Sequence, residues 1–240
     1  MANNVIFNGS NGEIFFNNLE KVYYTETITP PGPSYVTSGL IMYIDAGDSS
    51  SYPGSGTNMT DISPLGTNSA TMPNGGTYSA SSGGVIQLDG INQYIRCSTY
   101  NSNNHDFTIM GATRYIVPNV GRSLSCLNNN WLVGHWQNYP ENYYAEGAIA
   151  LPAGPYNSTA WRIYTANGII GGTYNLYVNN IFNVGNSAGS QGPNGWSIGC
   201  HTGGDEFGNI EFGFLMCYDR ILDSTEMTTN FDYFKNRYGL

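Results

Sequence analysis

From Ser38 onward, short apolar runs alternate with clusters of Gly, Asn, Ser and Pro. Residues 40–44 (LIMYI) read as a buried strand, followed by a long Gly/Ser/Pro loop over 46–60. Residues 84–88 and 94–97 flank a tight Asp89-Gly90 turn. Further strands are predicted over 107–117, 131–136, 147–151, 161–164, 174–178, 195–200 and 211–218, with a hairpin turn at Asn179-Asn180. This rhythm predicts a β-sandwich or barrel and not a parallel α/β sheet. The pattern changes period only once. Met227, Phe231, Phe234 and Tyr238 form one helical stripe, with Asp223 as N-cap, Glu226 completing a capping box, Lys235 and Arg237 in the last turn and Gly239 as terminator.

The first 36 residues read differently. Val5, Ile6 and Phe7 are separated by an Asn/Gly-rich turn from Ile14, Phe15 and Phe16, which predicts a small hairpin. An extended stretch over 21–28 carries Tyr23 and Tyr24, and Pro30-Pro31-Gly32-Pro33 then breaks the chain stiffly. The division is an N-terminal arm (1–29) with a Pro-rich linker (30–36), then one domain over 37–240. Two placements suit the arm: docking on a partner, or supplying edge strands to the main sheet.

Composition narrows the function classes. The formal net charge of −9 repels phosphate backbones and argues against nucleic acid as a partner. Only 10% of residues are charged, against about 25% in an ordinary domain. Solubility therefore rests on neutral polar side chains, and such surfaces also suit protein–protein contacts. No apolar run is long enough to span a membrane, and Met1–Val5 lacks the charged start of a secretory signal. Four cysteines, Cys97, Cys126, Cys200 and Cys217, permit two disulfides in three pairings; four buried free thiols is the expectation.

A family resemblance rests on both ends of residues 38–240. The chain opens Gly39-Leu40-Ile41-Met42-Tyr43-Ile44-Asp45-Ala46-Gly47, then Ser51-Tyr52-Pro53-Gly54-Ser55-Gly56 and Asp61-Ile62-Ser63. Leu88-Asp89-Gly90 and Tyr94-Ile95 follow, and the chain closes Tyr218-Asp219-Arg220-Ile221-Leu222, Glu226, and Arg237-Tyr238-Gly239. This order resembles the laminin-G-like, concanavalin A-like jelly-roll domains of phage structural proteins. Asn92-Gln93 departs from it, standing where an acidic pair is often found before the tyrosine. The resemblance implies an all-β concanavalin A-like (laminin-G-like) jelly-roll sandwich with one C-terminal helix and an extended arm. It also implies a virion structural protein, a capsid decoration, head-fibre or tail component, located on the virion. Its partners would be other virion proteins and further copies of itself, and Val5, Ile6, Phe7, Ile14, Phe15, Phe16, Tyr23 and Tyr24 would dock it.

The candidate chemistry is sparse. Retaining glucanases on this fold carry alternating carboxylates on one strand, and no such string exists here; Glu206 and Glu211 would fall on opposite faces of a straight strand. The expectation is therefore not an enzyme, with no catalytic residues. No metal or other cofactor is expected, and Asp205 and Glu206, beside His201, are the calcium candidates on a polar loop. The segment 134–144 concentrates aromatic, amide and carboxylate groups. Its His135, Trp136, Tyr139, Tyr143 and Tyr144 are the candidate sugar or partner surface. Against that, Trp136 as core and tyrosines packed on neighbouring subunits fit the same residues. The alternative function is thus a carbohydrate-binding module that attaches to host surface polysaccharide.

Overall fold

The computed structural model describes residues 6–8, 13–15 and 34–240. The chain divides into two compact units, Met1–Gly32 and Pro33–Leu240. In the first, β1 (Ile6–Asn8) and β2 (Glu13–Phe15) pair antiparallel, Phe7 opposite Ile14, as a hairpin. Val5, Phe16, Tyr23 and Tyr24 of the expected docking arm lie outside the described residues.

The second unit is a β-sandwich. Its strands are β3 (Leu40–Asp45), β4 (Asn58–Met59), β5 (Ala70–Thr71), β6 (Thr77–Ser79), β7 (Val85–Asp89), β8 (Ile95–Asn101), β9 (Phe107–Tyr115) and β10 (Leu124–Ser125). They continue as β11 (Trp131–Trp136), β12 (Tyr139–Ala145), β13 (Ala148–Ala150), β14 (Arg162–Gly168), β15 (Tyr174–Val178), β16 (Ile181–Asn186), β17 (Asn194–Ile198) and β18 (Asn209–Tyr218), and helix α1 (Ser224–Tyr238) follows. One layer is an eight-stranded sheet in the order β16-β15-β14-β9-β18-β7-β6. Here β3 shares an edge of β18 with β7: Phe214–Tyr218 pair with β3 and Asn209–Phe212 with β7. The opposing layer comprises two four-stranded sheets, β10-β11-β12-β13 and β17-β8-β5-β4. These meet where Leu127 and Asn128 donate to the carbonyls of Gly195 and Asn194.

The main core lies between the layers. Ile44, Leu88, Ile109, Tyr164, Phe212 and Leu215 from the large sheet pack with Ile95, Trp131, Val133, Tyr143 and Trp196 from the small ones. A second core covers the other face of the large sheet, where Met227, Phe234 and Tyr238 of α1 meet Met110, Ala112, Phe214 and Met216. Phe234 stacks on Phe214 at 3.6 Å. Buried on both faces, the middle of β18 is apolar at successive positions instead of alternating, as in its unbroken run Phe214-Leu215-Met216. The helix begins as its sequence predicts. The Asp223 side chain accepts from the Glu226 amide and Glu226 answers to the Asp223 amide, and Gly239 ends it in a left-handed conformation.

The motif residues at the two ends of the domain bind one another. Arg237 grips the buried Asp45 with both Nη atoms, Nη1 at 2.7 Å from Oδ2, while the Tyr43 hydroxyl donates to the same Oδ2 at 2.9 Å. Arg220 makes a bidentate pair with Glu226 at 2.6 and 2.7 Å. Asp61 accepts from the amides of Tyr43, Ser63 and Asn68, each at 2.9 Å. These residues hold the fold together. Tyr35 and Val36, expected in a linker, are docked on it: the Tyr35 ring sits 5.0 Å from Tyr43, and the Val36 amide donates to Asn230 Oδ1 at 2.8 Å.

All four cysteines are free and buried. Burial pushes the Cys126, Cys200 and Cys217 thiols above their ordinary range. Among the described residues no helix is long and apolar enough to cross a membrane.

Candidate functional site

The aromatic segment singled out in the sequence lies on the β11–β12 hairpin. Val133 pairs with Tyr143 and Leu132 with Tyr144. Successive side chains on a strand point to opposite faces. Trp131, Val133, Tyr143 and Ala145 accordingly enter the core, and Leu132, Trp136 and Tyr144 lie on the outer face. The tip turns through Gln137 and Asn138, both at positive φ (50° and 67°), as a tight two-residue hairpin requires. Buried Asn142 braces it: its Nδ2 donates to the carbonyls of Gly134, Trp136 and Tyr139, and its Oδ1 accepts the Ala153 amide.

Two of the five expected contact residues are thereby withdrawn. Tyr143 is fully buried, and so is His135, whose Nδ1 lies 3.1 Å from Thr113 Oγ1. Burial, and then the nearby Arg162 charge, push the His135 pKa well below its ordinary value, so the ring is neutral. Tyr139 pairs with exposed Tyr156 at 5.2 Å. Trp136 and Tyr144, both half-buried, are brought together.

These two line a cavity of about 210 Å³ with Arg122, Asn130, Leu132 and Leu151. Arg122 is the main residue that sequence reading missed. Its guanidinium lies 5.7 Å from the centroid of the Trp136 ring. Its Nε donates to Glu206 Oε2 at 2.5 Å and its Nη1 to Asn130 Oδ1 at 2.7 Å. Glu206 Oε1 accepts the Trp136 indole N–H at 3.0 Å, so one carboxylate fixes both the cation and the ring. The signal that could have found Arg122 is scarcity: with only 8 Lys and Arg in the chain, each cation beside a candidate surface carries information.

Two loops in backbone contact position this pair. A Cβ on Gly121 would lie 2.1 Å from the Phe207 carbonyl oxygen, and one on Gly208 would lie 2.4 Å from that of Arg122. Only glycine permits such an approach. The Arg122 amide also donates to the Glu206 carbonyl at 2.9 Å.

The calcium expectation on Asp205 and Glu206 meets a different arrangement. Both Glu206 oxygens already accept hydrogen bonds, and Asp205 Oδ1 lies 3.0 Å from His201 Nδ1. Among the described residues no three His, Cys, Asp or Glu side chains converge as a metal site. Glu211, set against Glu206 in the test for glucanase chemistry, is buried in β18 and bound to Arg114 at 2.6 Å and to Gln87 at 2.9 Å.

No protein-family model and no curated protein matches the chain. Solved structures do. A Trypanosoma rangeli sialidase in complex with the inhibitor DANA superposes with a TM-score of 0.62 at 15% identity, over 83% of this chain and 34% of the sialidase. The binding domain of Paraclostridial Mosquitocidal Protein 1 gives 0.56 at 16% identity, covering 82% of this chain and 52% of that one. The binding domain of Botulinum Neurotoxin DC in complex with SialylT gives 0.55 at 10%, with the same two coverages. At these identities the likeness shows the fold, a β-sandwich consistent with the concanavalin A-like jelly roll. The chain spans about a third of the sialidase and about half of each toxin structure.

The sialidase corrects one expectation. The reading that this chain is not an enzyme rested on the missing run of alternating carboxylates, but enzymes are among the structures that share its fold. That run belongs to one route of glycoside cleavage, and a tyrosine nucleophile needs no such run.

Proposed function

We propose that this chain is a carbohydrate-binding module whose sugar contact is the Trp136–Tyr144 cavity on the outer face of the β10–β13 sheet. The observation that carries this reading is the composition of that cavity. Aromatic rings offer an apolar surface to a pyranose face, and the Arg122, Asn130 and Glu206 side chains beside them offer donors and acceptors for hydroxyls. The toxin binding domains of like fold, one of them in complex with SialylT, support it. A host surface polysaccharide is the partner this reading implies. The virion setting and the docking role of the arm rest on the sequence resemblance alone; the structures of like fold named above are a parasite sialidase and toxin binding domains.

The test is a glycan array probed with the full chain and with Trp136→Ala and Tyr144→Ala. Retention on at least one glycan class is expected, and each variant should lose roughly tenfold or more in affinity, about 1.4 kcal/mol, while its melting transition stays cooperative. No retention across the array, or retention that both variants keep in full, overturns the reading.

A further inference from the structure

We propose that Glu206 is the specificity residue of this cavity: by neutralising Arg122 it admits uncharged sugars and turns away carboxylated ones. The proposal rests on the carbohydrate reading above and says which glycans the site takes.

An arginine in a sugar cavity would ordinarily invite an acidic sugar, since guanidinium and carboxylate match in charge and geometry. Here the match is already made inside the protein. Arg122 Nε is committed to Glu206 and Nη1 to Asn130, which leaves Nη2 without a partner among the described residues. A second carboxylate stands close by, because Glu146 Oε1 accepts the backbone amide of Asn130 at 2.7 Å. The one cation that lines the cavity is thus held by a carboxylate, and a second carboxylate is bonded to the lining residue Asn130, within a chain of net charge −9. An incoming carboxylate is acceptor-only. It could take the Nη2 proton but would face the unshared lone pairs of Glu206 and Asn130, and their repulsion is strengthened by partial burial. A hydroxyl is donor and acceptor at once, so it can accept from Nη2 and donate to those oxygens.

The backbone supplies an independent observation. Glu206 sits at φ 47° and Thr202, in the same loop, at φ 49°, left-handed conformations that L side chains rarely adopt. Strain of this kind persists when the surrounding structure over-determines the conformation. The Gly121 and Gly208 contacts hold it, and the side chain so placed is the one that caps Arg122.

The experiment uses immobilised oligosaccharide pairs identical but for one terminal sialic or uronic acid, probed with the wild-type chain and with Glu206→Gln. The amide keeps an acceptor for Arg122 and removes the charge. Wild type should retain the uncharged member at least about tenfold more tightly, and Glu206→Gln should shift that ratio toward the acidic member by a comparable factor. The ratio is internal to each protein, so a loss of folded fraction does not move it. Should Glu206→Gln not fold, the wild-type ratio and its salt dependence decide: binding of the acidic member should strengthen as salt rises and screens repulsion. A wild-type preference for the acidic members, acidic binding that weakens with salt, or an unchanged ratio in the variant overturns the proposal while the carbohydrate reading stands. No retention of any glycan overturns both.

Discussion

The large and small sheets of this sandwich are built on opposite principles. The eight-stranded sheet is buried on both faces at its centre, and the motif residues on it and in the segment that follows it spend their polar groups on each other, as Asp45 does with Arg237 and Glu226 with Arg220. The β10–β13 sheet buries its inner face against the core, while its outer face buries Leu132 and Asn142 and is otherwise partly open. That outer face leaves Trp136 and Tyr144 half-buried around a cavity, with one Arg122 nitrogen unpartnered among the described residues. The family resemblance therefore reads the scaffold, and the candidate site lies on the sheet that the motifs do not reach.

Substitutions can separate these roles. Asp45→Ala strands the Arg237 cation in a largely buried position. It should cost about 3–5 kcal/mol in chemical denaturation, while the molecules that remain folded bind glycan as before. Impaired binding per folded molecule would show that the two sheets are not independent. Asn142→Ala tests the small sheet itself. Leaving three hairpin carbonyls unserved should cost about 1–3 kcal/mol and weaken glycan retention as well, because the turn that aims Trp136 loses its brace.

Glu226→Gln is expected to cost about 1 kcal/mol by weakening both the capping box and the Arg220 pair. Its hydrogen bond from Arg220 holds the Glu226 carboxyl below its ordinary value of 4.5. The stabilisation is thus present above that value and lost as pH falls through the lower folded one. Between those limits the wild type should lose stability with acid more steeply than the variant, which thermal melts at a series of pH values will show. The smallest effect is expected from Tyr144→Phe, at about 0.5 kcal/mol or less of stability; any larger loss of glycan affinity then reports direct contact by its hydroxyl.

Much of the scaffold is legible in the sequence. The strands at Trp131–Trp136 and Tyr174–Val178 stand where their apolar runs place them, Asn179-Asn180 turns with both residues at positive φ, and α1 begins on its Asp223–Glu226 box. What escaped has physical reasons. Residues 134–144 suggest a contact surface because amide and carboxylate groups stand among their rings, yet one of those amides, Asn142, is buried and satisfied by backbone. Period two alone would have separated Tyr143 from Tyr144, since neighbours on a strand cannot share a face. The pairing of Arg122 with Glu206, 84 positions apart, is a contact between two loops that no local pattern announces.

The position of β18 at the middle of the large sheet has a temporal consequence. It pairs with β9 along its length and with β3 and β7 on the other edge, yet it is the last strand in the chain. The segments β16-β15-β14-β9 and β7-β6 pair within themselves, but they and β3 are joined only through β18. Until residues 209–218 emerge, β3, β7 and β9 present unsatisfied edges, and only then can α1 seal the outer face and Arg237 lock onto Asp45. The large sheet therefore cannot close without residues 209–218.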